Sequence, residues 1–129
     1  MRVSVVVPNY NYGPYLKERL RSVLRQTESD IELLYIDDAS TDRSNDVARD
    51  FARDDGRMMM ILRERNSGGP YWTWNEAAGR ARGEWLWFAG ADDSAGPTFL
   101  EELLALADRH PQAGILRSDF LRMDACLLY

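Results

Sequence analysis

The sequence predicts an open, largely parallel α/β sheet with helices on both faces, and three observations carry that expectation. Short apolar runs of strand length alternate with helical stripes in the order β-α-β-α-β-α-β-α-β. The connections are short, as they are when right-handed crossovers return each strand parallel to the last. The chain has 129 residues, 45% of them apolar and 29% charged, which suits one packed domain and neither a disordered nor a membrane-spanning chain.

Val3 to Val7 is apolar on nearly both faces and stops at Pro8-Asn9, so it reads as a buried first strand. After Gly13-Pro14, residues Leu16, Leu20, Val23 and Leu24 recur at helical spacing and mark a helix ending near Gln26. Ile31 to Ile36 is a second strand, stopped by the turn-forming run Asp37-Asp38-Ala39-Ser40-Thr41-Asp42. Val47, Ala48, Phe51 and Ala52 stripe a second helix, with Thr41, Asp42 or Ser44 available to cap it. Met58 to Leu62 is a third strand, followed by the breakers Asn66-Ser67-Gly68-Gly69-Pro70. Trp74, Ala77, Ala78 and Ala81 trace a third helix, and Glu84 to Ala89 a fourth strand. Phe99, Leu100, Leu103, Leu104 and Ala107 stripe a fourth helix opened by Pro97, and Ala113 to Leu116 closes the pattern as a fifth strand.

Sixteen basic against twenty-one acidic residues give a net charge of −5. That balance argues against a nucleic-acid partner, because phosphate backbones are held by basic patches. The single cysteine, Cys126, allows neither an internal disulfide nor a cysteine-based zinc site, which suits a reducing, cytoplasmic setting. Met1 to Val7 is too short for a signal-peptide core. No transmembrane segment is expected, because no run approaches the roughly 18 apolar residues of a membrane helix; peripheral attachment at the inner face of a membrane stays compatible with this.

In a parallel α/β sheet, ligands bind beyond the carboxyl ends of the strands, where the strand order reverses. The polar clusters fall there: Pro8-Asn9-Tyr10-Asn11-Tyr12 after the first strand, Asp37-Asp38 after the second and Asp92-Asp93 after the fourth. Four carboxylates on one sheet edge call for a compensating cation, and Mg²⁺ or Mn²⁺ suits such hard oxygen ligands. Each cluster also has a plainer reading. Asp37 to Asp42 has the composition of an ordinary turn and helix cap, and Asp92-Asp93 that of a solvated turn. Tyr10 and Tyr12 could simply cover the sheet edge, and Trp72 and Trp74 read as packing residues. Gly68-Gly69 could offer backbone N–H groups to a phosphate, but without G-x-G-x-x-G or a P-loop lysine the signal is weak. Two acidic pairs at alternate strand ends of one sheet are harder to explain as independent turns.

These residues resemble a known family. Val3-Ser4-Val5-Val6-Val7-Pro8-Asn9-Tyr10-Asn11 is similar to the opening strand of family 2 glycosyltransferases. Leu20 to Thr27 resembles the family's first helix with its terminal Gln-Thr, and Tyr35 to Asp42 its second-strand motif. Arg82-Gly83-Glu84-Trp85-Leu86 ahead of Ala91-Asp92-Asp93 resembles the approach to its metal-binding DXD-type motif. The resemblance runs over essentially the whole chain. It implies a Rossmann-like fold of the GT-A type whose N-terminal half binds a nucleotide-diphosphate sugar, with residues 1–129 as one nucleotide-sugar-binding domain. On that resemblance Pro8 and Tyr10 line the base and ribose pocket, and Asp38 accepts a hydrogen bond from the base, expected to be uracil. Asp92 lies against the ribose or sugar, and Asp93, with Asp92, holds the Mg²⁺ or Mn²⁺ that bridges the phosphates. Asp37 orients the loop rather than touching ligand. The implied reaction is inverting transfer from a UDP-sugar to a saccharide, lipid or protein acceptor.

Two departures qualify the resemblance. The family often carries an arginine before the asparagine of the third helix, where this chain has Trp74 before Asn75. Enzymes of this family also continue into an acceptor-binding half that supplies the general base, which appears absent here. Asp119 and Asp124 stand in no context that matches that base, so the catalytic base is unassigned. The rival reading is a non-catalytic module that binds a nucleotide or a partner, and exposed sheet edges would favour a homodimer. A response-regulator receiver is a third candidate, against which the residues count: the first strand ends in Pro8-Asn9 rather than an acidic pair, the third in Arg63-Glu64, and no lysine follows Lys17.

Overall fold

The computed structural model describes residues 1–122. Strands β1 (Val3–Asn9), β2 (Ile31–Asp37), β3 (Met58–Leu62) and β4 (Trp85–Phe88) form one sheet in the order β3-β2-β1-β4, with every pairing parallel. Helices α1 (Gly13–Leu24), α2 (Ser44–Asp54) and α3 (Pro70–Arg80) are the crossovers, and α4 (Phe99–Arg109) follows β4.

The strand order decides which face each helix covers. From β1 to β2 to β3 the chain steps in one direction, so right-handed crossovers keep α1 and α2 on one face; the return past β1 to β4 reverses direction and sends α3 to the other. Alternation along the strands then divides the core. Val3, Val5, Val7, Ile31, Leu33 and Tyr35 pack against Leu16, Leu20 and Val23 of α1, Ala48 of α2, and Leu100 and Leu104 of α4. Val6, Leu34, Ile36 and Ile61 pack against Ala77 of α3. With only one helix there, Leu86 and Phe88 of β4 stay exposed.

Three expectations are corrected. Pro8 and Asn9 continue β1 instead of ending it, in register with Ile36 and Asp37. Pro8 is tolerated because alternate residues of a parallel strand bond to opposite neighbours. Val6 O accepts from Ala89 N on the β4 side, and β4 has ended before Pro8 would need to donate there. Ala113 to Leu116 is not a strand: it runs as irregular chain beside β4 with Ile115 exposed, and pairs with no ladder among the described residues. Finally α3 stops at Arg80, so Ala81 packs on the α3 face from the following turn.

Two buried carboxylates fix the two ends of the sheet. At the amino end, Ser4 donates to Glu32 Oε1 at 2.6 Å, and Arg82 donates its backbone N–H to Oε1 at 2.8 Å and its guanidinium to Oε2 at 2.7 and 2.9 Å. Gly83 N–H donates to Ser4 Oγ at 2.8 Å, and a Cβ on Gly83 would strike the backbone nitrogen of Ser4, so β4 enters the sheet only through glycine. At the carboxyl end, Asp37 accepts from Asn9 Nδ2 (2.9 Å), Tyr35 Oη (3.1 Å), Ser40 N (2.8 Å), Ser40 Oγ (2.6 Å) and Asn45 Nδ2 (3.0 Å). Those bonds join β1, β2, the turn after β2 and α2. Asp42 completes the turn by accepting from Gly13 N at 2.9 Å and Ser44 N at 2.9 Å, tying the N-termini of α1 and α2 to one carboxylate.

Burial pushes the Glu32 and Asp37 carboxyls up, but hydrogen bonds from Ser4 and Arg82, and from Ser40, Asn9 and Asn45, outweigh it and hold both below their ordinary values of 4.5 and 3.8. Folded-state values below the unfolded ones mean a stabilisation fully present above pH 4.5 that is lost as pH falls through the folded-state values. Thermal melts should therefore show a plateau at mildly acidic pH and a falling Tm below about pH 4. Glu32→Gln combined with Asp37→Asn should start lower and flatten that fall; an unchanged acid limb would refute the assignment. Glu32→Ala, which orphans Ser4 and the Arg82 N–H, should cost about 2 kcal/mol and lower Tm by roughly 8 °C.

Candidate active site at the strand-order switch

The register builds a crevice. β1 and β2 end level, Asn9 beside Asp37, but β4 ends beside Val6. The chain after β4 therefore turns through Gly90 to Asp93 alongside the uncovered last residues of β1, at the point where strand order reverses. The cleft there has a volume of about 450 Å³, within the range of roughly 300–1,000 Å³ usual for small-molecule sites.

Alternation explains what faces it. Asn9 and Asp37 share the parity of Val7 and Tyr35 and turn toward α2. Pro8, Tyr10 and Asp38 share the parity of Val6 and Ile36, and all three line the cleft with Asp92, Asn66, Gly68 and Gly69. The structure thus brings together Pro8, Tyr10, Asp38 and Asp92. Asp93 stands at the edge of that group and does not line the cleft. Asp37 is fully engaged in the network above. Its neighbour Tyr35 stays a phenol, since burial and the Asp37 charge push its ionisation up.

Asp38 is nearly buried and already partnered. Its N–H donates to Asn9 O at 2.9 Å; Ser67 donates its N–H to Oδ1 at 2.9 Å and its hydroxyl to Oδ2 at 2.8 Å. Arg63 Nε lies 3.2 Å from Oδ1 but out of line for a hydrogen bond, so this contact is a charge pair, and the other end of the guanidinium grips Glu76. Asn66 Nδ2 donates to Asp38 O at 3.0 Å, and Gly68 takes a φ of +84°. The breaker run after β3 is therefore a clamp on Asp38; its Ser67 N–H is spent there.

Above Gly90 the carboxylates of Asp92 and Asp93 converge. A Cβ on that glycine would meet Asp93 Oδ2 at 2.8 Å and Asp92 Oδ1 at 3.3 Å. Among the described residues no three acidic, histidine or cysteine side chains form a metal cage. Two adjacent carboxylates on an open turn nonetheless fit Mg²⁺ or Mn²⁺, which commonly take one or two carboxylates and complete their shell with substrate phosphates.

Arg19, missing from the sequence reading, lies beneath this turn. It is 2% exposed, donates Nε to Gly90 O at 2.6 Å, places Nη2 3.6 Å from Asp93 Oδ2 and sits 5.5 Å over the Trp87 ring. Burial pulls its ionisation down while Asp93 and Asp92 oppose that. The signal was its spacing, three residues after Leu16 and four before Val23 on the apolar stripe of α1. The cations expected to offset the edge carboxylates are thus in part arginines. At the end of α1, Gln26 Nε2 donates to Gly96 O at 2.6 Å and its Oε1 accepts from Leu100 N at 2.9 Å, which anchors the start of α4. Trp74 packs against Tyr71 and Phe88 as expected of a packing residue, but Trp72 is 64% exposed and does not pack. Asp119 is exposed on irregular chain and does not line the cleft; Asp124 and Cys126 lie outside the described residues.

Residues 4–118 match the family model for Glycosyl transferase family 2. The chain is 35% identical over 108 residues to the uncharacterized glycosyltransferase EpsJ of Bacillus subtilis, covering 84% of this chain and 31% of that protein. Its fold superposes on S. aureus TarS 1-349 in complex with UDP-GlcNAc with a TM-score of 0.81 and 32% identity, over 86% of this chain and 32% of that one. The mannosyltransferase PcManGT of Pyrobaculum calidifontis, in complex with GDP-Man and Mn²⁺, gives a TM-score of 0.75 and 25% identity over 82% and 32%. The chain spans about a third of the length of these relatives. With its parallel α/β sheet and a family match over residues 4–118, it belongs to glycosyltransferase family 2.

Proposed function

We propose that this chain is the donor-binding unit of an inverting glycosyltransferase that uses a nucleotide-diphosphate sugar, with UDP as the nucleotide. The observation that carries the reading is the convergence of Pro8, Tyr10, Asp38 and Asp92 on one cleft at the strand-order switch. The structural similarity to TarS bound to UDP-GlcNAc and to PcManGT bound to GDP-Man and Mn²⁺ supports it. Pro8 and Tyr10 supply an apolar wall for base and ribose. Asp38, held rigid by Ser67 and Arg63, presents a remaining carboxylate lone pair to a base N–H; a carboxylate can accept from an imide but would repel a phosphate. On this reading the base would lie at the β2 side of the cleft and the diphosphate at the Gly90 turn.

Asp93, with Asp92, would hold the divalent cation, whose chemistry is to neutralise the diphosphate as a leaving group. Asp92 would in addition orient the ribose or sugar. The reading covers donor binding and assigns no general base to any residue of this chain. Among the described residues, no helix is long and apolar enough to cross a membrane. The acceptor class, saccharide, lipid or protein, would be set by surfaces other than this cleft.

Calorimetry with UDP and Mn²⁺ tests the proposal. The wild-type chain should bind the pair, and Asp38→Ala, which removes a charged acceptor, should weaken UDP binding about 10- to 100-fold. Asp93→Asn should abolish the Mn²⁺ dependence while the chain still melts cooperatively. No heat with UDP and Mn²⁺, or equal binding by the variants, would reject the reading.

A further inference from the structure

Arg19 is buried, yet its guanidinium is not fully used: Nη1 has no hydrogen-bond partner, and Nη2 reaches Asp93 only at 3.6 Å. Its side chain is 3% exposed while that of Asp93 is 72% exposed, so the cation is fixed and the carboxylate is the movable partner. The anchors of the cation are the 2.6 Å bond from Nε to Gly90 O and the Trp87 ring. A polar atom left unpaired at such depth is unusual and costly. The acidic turn therefore sits on a built-in positive charge that cannot leave it.

We propose that Arg19 is a positioning residue acting as a resident counter-ion of the Asp92-Asp93 turn, holding Asp93 over Gly90 until a divalent cation displaces it and thereby setting the affinity of the site for that cation. The proposal rests on the reading that Asp93 ligates the metal. The guanidinium and a cation in the cleft draw on one carboxylate, whose Oδ2 lies 3.6 Å from Arg19 Nη2 and 2.8 Å from where a Cβ of Gly90 would stand. Metal binding by Asp93 therefore weakens the Arg19–Asp93 pair and brings a dication near a buried guanidinium. Both effects lower metal affinity relative to a site without the arginine, and the Gly90 tether holds the turn in place throughout.

Titration of Mn²⁺ in the presence of saturating UDP, followed by the electron-paramagnetic signal of free Mn²⁺, reads this directly. Arg19→Met keeps an unbranched chain over Trp87 and removes the charge together with the Nε–Gly90 bond; it should tighten Mn²⁺ binding about tenfold, within the range of about 5- to 150-fold usual for coupled sites. Arg19→Lys keeps the charge and should stay within about threefold of wild type. A residue that merely stabilised the fold would lower Tm in Arg19→Met without tightening the metal, so unchanged or weaker Mn²⁺ binding by the folded variant overturns the proposal. A measurement on the wild type does not depend on how the variants fold. Mg²⁺ added to the UDP-bound chain should shift the guanidinium NMR signals of Arg19 while its Nε–H stays protected, and no shift overturns it. Wild type that binds Mn²⁺, Asp93→Asn that does not, and Arg19→Met identical to wild type would refute the counter-ion role alone. Wild type without Mn²⁺ binding would refute the reading beneath it as well.

Discussion

The carboxylate of Asp37 is the constraint on which the binding edge depends. It is a buried charge with no cation against it, neutralised entirely by five hydrogen bonds from neutral donors on β1, β2, the following turn and α2. A lone buried charge is expensive unless every lone pair is met, so each donor is needed where it stands. That requirement fixes the turn after β2, in which Ala39 adopts a φ of +63°, and the facing loop after β1, in which Asn11 adopts a φ of +60°. Left-handed backbone costs an alanine about 1–2 kcal/mol. The turn holds it because Asn11 Oδ1 caps Thr41 N at 2.8 Å and Ser40 Oγ accepts from Asn11 N at 2.9 Å. With the backbone of residues 37 to 42 fixed, Asp38 has one direction left to point, and that direction is the cleft.

Alternation turns this local demand into a division of labour. Two consecutive aspartates at the end of a strand face opposite sides, so one can be spent on structure and the other left for a ligand. The first strand repeats the device: Asn9 serves the Asp37 network, and its neighbours Pro8 and Tyr10 line the cleft. The opposite end of the sheet uses a buried carboxylate differently, with Glu32 meeting a real cation in Arg82 on the α3 side. There the charge pair locks the entry of β4. Conserving charge at one end and hydrogen-bond donors at the other separates the part that must hold from the part that must exchange partners.

The strands, helices and their order were legible because their signals are local: period-2 and period-3.6 apolar spacing, with Gly and Pro as punctuation. The parallel sheet and the end of it that carries the polar clusters followed from connection lengths and handedness. What stayed hidden was partnership across distance. Nothing local says that Ser67, 29 positions after Asp38, closes on it, or that Arg19 reaches Gly90 across 71 positions. Arg19 did leave a trace, a cation on an apolar stripe, but a surface arginine at a stripe's margin looks the same. The expected fifth strand failed for the complementary reason. Ala113 to Leu116 has the composition of a strand, yet a strand exists only where another offers it a ladder, and none of the described residues does so.

These partnerships change what binding at the cleft means physically. The simple picture from the sequence was a row of bare carboxylates waiting for a cation. Instead Asp38 is held by Ser67 and Arg63, and Asp93 by Arg19, before any ligand arrives. A ligand therefore does not add contacts to an empty edge; it exchanges with internal ones, and its affinity is the difference between the two sets. For Asp38 the internal partners can stay, because Ser67 and Arg63 leave one oxygen with a free lone pair, so its geometry is organised in advance. For Asp93 the internal partner and the proposed cation would draw on the same carboxylate. On the proposed function, the base end of the cleft would serve fixed recognition and the phosphate end an exchange between two counter-ions.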